Sequence, residues 1–173
     1  MSKPPVPENE EARLSVLKDY NILDTPPEEA FDIIARLASY ICGTPIGLVT
    51  LIDRHRQWFK SRVGLDFPET PRDLAFCAYT ILQPSLLVIP DTKEDERFME
   101  HPLVANDPKI RFYAGAPLIT GEGYPLGTLC VIDSIPRDLH SDQKSALLSL
   151  AYLAMIHLDN RRRLAFTTSQ AAS

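Results

Sequence analysis

From Phe31 to Cys42 the apolar residues Phe31, Ile34, Ala35, Ala38, Ile41 and Cys42 return every three or four positions, the spacing of one buried helix face. Ahead of them, Thr25-Pro26-Pro27-Glu28 sets a hydroxyl where an N-cap belongs, a proline where a missing N–H costs nothing, and a carboxylate three residues on. The pattern predicts a helix that starts there and stops at Gly43 and Pro45. A shorter helix is predicted from Glu10, where Leu14 and Leu17, then Ile22 and Leu23, keep a similar rhythm.

The period then changes. Ile46 to Ile52 is a short apolar run rich in β-branched residues, as expected of a central strand covered on both faces. Asp53-Arg54-His55-Arg56 is a polar turn and Gln57 to Val63 a second strand, so the two predict a hairpin. Thr70-Pro71-Arg72-Asp73 repeats the hydroxyl, proline, carboxylate order and predicts a helix running through Ala75-Phe76-Cys77-Ala78-Tyr79 to Pro84. Leu86 to Ile89 reads as a short strand. Asp91-Thr92 with Asp95 predicts a short helix carrying Arg97, Phe98 and Met99 and ended by Pro102.

Arg111 to Ile119 and Leu126 to Ile132 are two more strands, paired antiparallel across a loop containing Gly121 and Gly123. Ser141 then caps a long terminal helix, with Leu147, Leu150, Ala151, Ala154 and Leu158 near one stripe. Leu148, Leu153 and Ile156 widen the apolar surface beyond that stripe and leave room for a partner helix. Residues 1–9 form a polar, proline-rich tail, 10–165 a single domain, and 166–173 a second loose tail. The element order predicts an α/β (α+β) sandwich around one mostly antiparallel sheet of five or six strands.

Composition narrows the function classes. A chain of 173 residues, 45% hydrophobic and 24% charged, suits one core and ordinary globular behaviour. No apolar run approaches the roughly 20 residues of a membrane span, and the first residues contain no apolar signal region, so a cytoplasmic protein without a membrane partner is expected. A net charge of −5 argues against nucleic acid as a partner. The three cysteines, widely spaced, make neither a disulfide framework nor a metal-ligand pair.

Six segments in order, LDTPPEEAFD, RQWFKSRVGL, FCAYTI, DERF, RFYAGAPL and GTLCVID, carry a family resemblance. Over about residues 10–165 the chain resembles a GAF domain of bacterial signalling proteins, of the type that precedes histidine-kinase, PAS or diguanylate-cyclase modules. The resemblance implies a GAF-like sheet with helices on both faces, the N- and C-terminal helices packed on one side and a ligand pocket on the other. It also implies a sensory or regulatory module, not itself an enzyme, that forms a homodimer through those helices. The expected partner is a histidine kinase or diguanylate cyclase, in two-component signalling.

The candidate chemistry centres on Cys77. In GAF domains that attach a bilin, the cysteine is followed directly by histidine; here Ala78 follows, and Tyr79 stands where the subgroup often has histidine, which argues against a covalent bilin. Six residues past Pro71 and among Ala75, Phe76 and Ala78, the Cys77 thiol is expected to have a raised pKa and to pack rather than react. Cys130 alternates with Thr128 and Ile132 and faces one side of the sheet. A cysteine-dependent small-molecule enzyme and a bilin- or cyclic-nucleotide-binding sensor stay open as alternatives. The expected small-molecule pocket comprises Trp58, Arg72, Phe76, Cys77, Tyr79, Phe98, Arg111, Tyr113 and Cys130, apolar walls with a few polar groups. No metal and no required cofactor are expected.

Overall fold

Seven consecutive buried residues, Ile46–Ile52, form β1 at the middle of the sheet, apolar except for Thr50, because both sides are covered. In the computed structural model, which describes residues 3–172, β1 pairs with β2 (Arg56–Val63) along one side and with β6 (Pro125–Asp133) along the other. β3 (Glu69–Pro71) adds to β2, while β5 (Phe112–Ile119) and β4 (Leu87–Ile89) continue beyond β6. The six-stranded sheet has the order β3-β2-β1-β6-β5-β4, and every neighbouring pair is antiparallel.

Strand alternation divides the core in two. Val49, Leu51, Leu129 and Val131 face α1 (Glu10–Asp19), α2 (Glu29–Cys42) and α5 (Ser141–Ala171). Leu48, Ile52, Cys130 and Ile132 face the short helices α3 (Cys77–Thr80) and α4 (Pro102–Ala105). The amphipathic stripe of α2 lands as its spacing requires: Phe31, Ile34, Ala35, Ala38 and Cys42 are buried, with each Phe or Ile worth about 1.5–3 kcal/mol. Gly43 ends that helix in the left-handed region at φ 65°.

A register shift in β2 shapes the helical face. Thr50 pairs with Phe59 and Val49 with Ser61, so Lys60 is the extra residue of a bulge, and Lys60 and Ser61 both reach the α2 side. The Lys60 ammonium bonds to Thr25 Oγ1 at 2.9 Å and the Pro26 carbonyl at 2.6 Å, and pairs with Glu28. Ser61 donates to Asp32 on α2 at 2.5 Å.

Several helix starts differ from the expected ones. Thr25 does not cap α2: its hydroxyl donates to the Ile22 carbonyl and accepts from Lys60, and α2 begins at Glu29 with Glu28 turned to Lys60 and Arg161. The long helix expected from Thr70 is broken into pieces. Thr70 lies in β3 opposite Gln57, Arg72–Leu74 is one 3-10 turn, Ala75 is extended at φ −86° and ψ 118°, and helix resumes only at Cys77. After Asp91, only a 3-10 turn forms at Thr92–Glu94, and Pro102 opens α4 rather than ending a helix.

The terminal helix also departs from expectation. Its cap is His140, whose N–H donates to Gln143 Oε1 at 2.8 Å, and Ser141 is the first helical residue. The segment from 166, expected to be a loose tail, continues α5 to Ala171. Residues 1, 2 and 173 of the two expected tails lie outside the described residues. Among the described residues, no helix is long and apolar enough to cross a membrane.

Candidate functional site

The face covered by α3 holds a buried polar cluster inside an apolar setting. Thr50 on β1, Thr128 and Cys130 on β6 and Tyr113 on β5 point the same way, and α3 lays Cys77 and Thr80 over them. Thr128 Oγ1 donates to Cys77 Sγ at 2.9 Å, and the Tyr113 hydroxyl donates to the same sulfur at 3.3 Å. Thr50 and Thr128 hydroxyls lie 3.0 Å apart, and Thr80 and Tyr113 hydroxyls 2.6 Å apart. Each hydroxyl has a single proton, so the cluster resolves into two relays, Thr50 to Thr128 and Thr80 to Tyr113, that converge on one sulfur. Cys130 Sγ lies 3.7 Å from Cys77 Sγ.

This arrangement divides the two thiols. Burial works to raise Cys77, but hydrogen bonds from Cys130, Thr128 and Tyr113 outweigh it and lower the thiol to about 7. Cys130 moves far up, because its neighbour Cys77 holds the first negative charge and burial disfavours a second. Local sequence pointed the other way for Cys77; the donors that lower it come from strands 36 to 53 positions away and are invisible to its neighbours.

Aromatic rings close the site. Phe76 stacks on Phe98 at 4.4 Å and 10°, Tyr113 lies 5.4 Å from Phe76, and Tyr79 meets Phe98 edge-on at 5.0 Å. Arg97 sits 5.1 Å from the Phe98 ring and is bonded to Asp95. His101, 4.8 Å from Phe76, accepts from the Leu103 N–H, and burial lowers its pKa against a weaker opposing hydrogen bond to the Leu74 backbone. What space is left amounts to about 30 Å³, bounded by Cys77, Tyr113, Phe76, Gln57 and Thr70. That is room for about one water-sized molecule, against roughly 300 Å³ or more for a typical small-molecule site. Two buried atoms of its wall, Gln57 Oε1 and Thr70 Oγ1, have no protein partner.

Of the expected pocket residues, Phe76, Cys77, Tyr79, Phe98, Tyr113 and Cys130 come together here. Three do not. Trp58 packs into the opposite core, under α1, α2 and α5. Arg72 is buried against Glu10, with a second bond to the Asp53 carbonyl at 3.0 Å, and so serves the packing of α1 rather than an anion. Arg111 makes a two-point contact with Asp91 at 2.9 and 2.7 Å. The threonines that organise the sulfurs were missed by the sequence reading; Thr50, a hydroxyl inside an otherwise apolar central strand, was the available signal.

A wider groove of about 670 Å³ opens along α2 and β2, where Arg36, Arg62 and Asp24 meet solvent. Its inner polar groups, Lys60 and Asp32, are already engaged with each other's neighbours. Among the described residues, no cluster of three or more His, Cys, Asp or Glu side chains could hold a metal ion.

The sheet order, the terminal helices on one face and the closed site on the other meet in one family, and the GAF domain model matches residues 26–158. The chain belongs to the GAF domain family. It is 41% identical over 163 residues, 94% of its length, to a cyclic di-GMP phosphodiesterase of Pseudomonas aeruginosa, and spans 28% of that relative. In fold it is similar to the GAF domain of an Acinetobacter phosphoenolpyruvate-protein phosphotransferase, at 15% identity and TM-score 0.63, covering 94% of this chain and 97% of the other. A domain described as that of a two-component sensor histidine kinase from Sinorhizobium meliloti covers 82% of this GAF chain and 97% of its own, at 15% identity and TM-score 0.62. These relationships fit a regulatory signalling module. The expectation that the chain stands apart from enzymes is corrected, because the curated relative that matches nearly all of it is named a phosphodiesterase.

Proposed function

We propose that this GAF domain is a sensory and regulatory unit of cyclic di-GMP signalling, acting as a homodimer whose terminal helices carry its output. The observation that carries the reading is α5. It runs 31 residues, Ser141–Ala171, or about 46 Å at 1.5 Å per residue. Its outer surface presents Leu148, Tyr152 and Ile156 at four-residue spacing, with Leu153 beside them, all exposed. α2, packed on the same layer, exposes Ile33, Leu37 and Tyr40 at similar spacing. Two copies pairing these stripes would bury apolar helix surface that one copy leaves in water.

The identity to a cyclic di-GMP phosphodiesterase supports the choice of that signalling system over a histidine kinase. A small ligand entering beside Cys77 would have to displace cavity walls such as Phe76, since the present space admits about one water. The test is exchange of the matching segment of the Pseudomonas aeruginosa phosphodiesterase for this chain. The reading expects the exchanged enzyme to hydrolyse cyclic di-GMP, and expects Tyr152→Glu in the inserted segment to change that rate severalfold. A rate indifferent to disruption of the α5 stripe would overturn it.

A further inference from the structure

We propose that Cys77 and Cys130 form a peroxide-oxidisable dithiol, a modification site built into the α3 face of the sheet. Three independent features support it. The two sulfurs are 3.7 Å apart, joined to no other cysteine, and held by a helix on one side and the central strand β6 on the other. Cys77 Sγ is the end point of both hydroxyl relays, which stabilises negative charge on that sulfur in the same way that donors stabilise any buried anion. The cavity of about 30 Å³ reaches Cys77 and offers Gln57 Oε1 and Thr70 Oγ1, both buried and unpartnered, to a small molecule that both donates and accepts hydrogen bonds. Hydrogen peroxide has that size and chemistry; a larger organic oxidant does not fit.

The chemistry balances in two steps. The Cys77 thiolate attacks one peroxide oxygen, a sulfur–oxygen bond forms, the oxygen–oxygen bond breaks, and hydroxide leaves to take a proton as water. Cys77 is now a sulfenic acid, oxidised by two electrons as the peroxide is reduced. The Cys130 thiol gives up its proton and attacks the Cys77 sulfur, forming the sulfur–sulfur bond and expelling the oxygen as a second water. A dithiol reductant returns both cysteines to thiols.

Bond formation closes the sulfurs from 3.7 Å to about 2.05 Å and removes Cys77 as acceptor for Thr128 and Tyr113. α3 is thereby drawn toward β6, the strand that also packs against α5 on its other face. Cys42 serves as an internal control. It lies in the opposite core, where burial raises its thiol to about 11.

The decisive experiment treats the intact, reduced chain with a small excess of hydrogen peroxide and follows mass and thiol alkylation. The expected result is loss of two hydrogens, a peptide cross-link joining Cys77 to Cys130, Cys42 still alkylatable after unfolding, and full reversal by dithiothreitol. In Cys130→Ala, oxidation stops with one added oxygen on Cys77, trapped by a sulfenic-acid reagent. Should that variant fail to fold, the cross-link in the unaltered chain decides the matter alone. Native chain whose Cys77 and Cys130 stay reduced while Cys42 oxidises, or which cross-links only after urea unfolding, would overturn the proposal.

Discussion

Arg161 on α5 donates from Nε to Glu28 Oε2 at 3.0 Å, and the same carboxylate oxygen pairs with Lys60, whose side chain is fully buried at the sheet bulge. One carboxylate thus ties the sheet to the terminal helix. Arg161 extends the tie by donating to the Asn21 carbonyl at 2.8 Å, and Tyr20 donates to Asp159 at 2.6 Å.

Glu28→Ala leaves the Lys60 ammonium buried with only neutral acceptors and is expected to cost about 2 kcal/mol, because an uncompensated buried charge is worse than none. Lys60→Met, which removes the charge and keeps the stem, should cost less than Glu28→Ala. Urea unfolding of both variants at neutral pH checks the order; equal losses would mean that Glu28 does not compensate Lys60.

The Glu10 cluster predicts an acid response of known sign. Burial works to raise the Glu10 carboxyl, but hydrogen bonds from Arg13 and Arg72 outweigh it and bring it from 4.5 to about 2. A carboxyl lowered on folding contributes stability above its unfolded value, near 4.5, and loses it as pH falls through about 2. The contribution is on the order of 3 kcal/mol at neutral pH. Glu10→Gln should therefore be clearly less stable than the native chain at pH 7, and the gap in unfolding free energy should narrow steadily below about pH 4.

Gly127 on β6 is placed where a Cβ would lie 1.8 Å from the Thr50 carbonyl oxygen of β1. No rotamer relieves a clash with backbone. Gly127→Ala should cost at least about 3 kcal/mol and strain the β1–β6 pairing, measured as a lower thermal midpoint with faster exchange of the amides on both strands.

Tyr113→Phe removes one of the donors to Cys77 and leaves the Thr80 hydroxyl without its buried partner. The Cys77 thiol should titrate higher than in the native chain, and stability should fall by about 1 kcal/mol. Thiolate absorbance followed against pH in a Cys42→Ala background reads the first; an unchanged titration would assign the shift to Thr128 and Cys130.

Much of the architecture was legible in the sequence because it rests on local periodicity. The Phe31-to-Cys42 stripe and the largely apolar run of β1 bury what their spacing says they should, and the glycine loop joins β5 and β6 as an antiparallel pair. What was not legible depended on partners far along the chain. Thr25 and Thr70 both carry helix-start chemistry, yet Lys60 takes the first and strand pairing with Gln57 the second. Arg72 reads as a cation for a ligand until Glu10, 62 positions earlier, is found against it. Cys77 and Cys130 each read as packing; only the crossing of α3 over β6 makes them a pair.

Homodimerisation through the terminal helices is the central claim, and light scattering on the intact chain at high micromolar concentration tests it most directly. The account predicts a particle of twice 19.4 kDa that drops to a monomer when Leu148 and Tyr152 are both changed to glutamate. A native chain that stays at 19.4 kDa across that concentration range would contradict it.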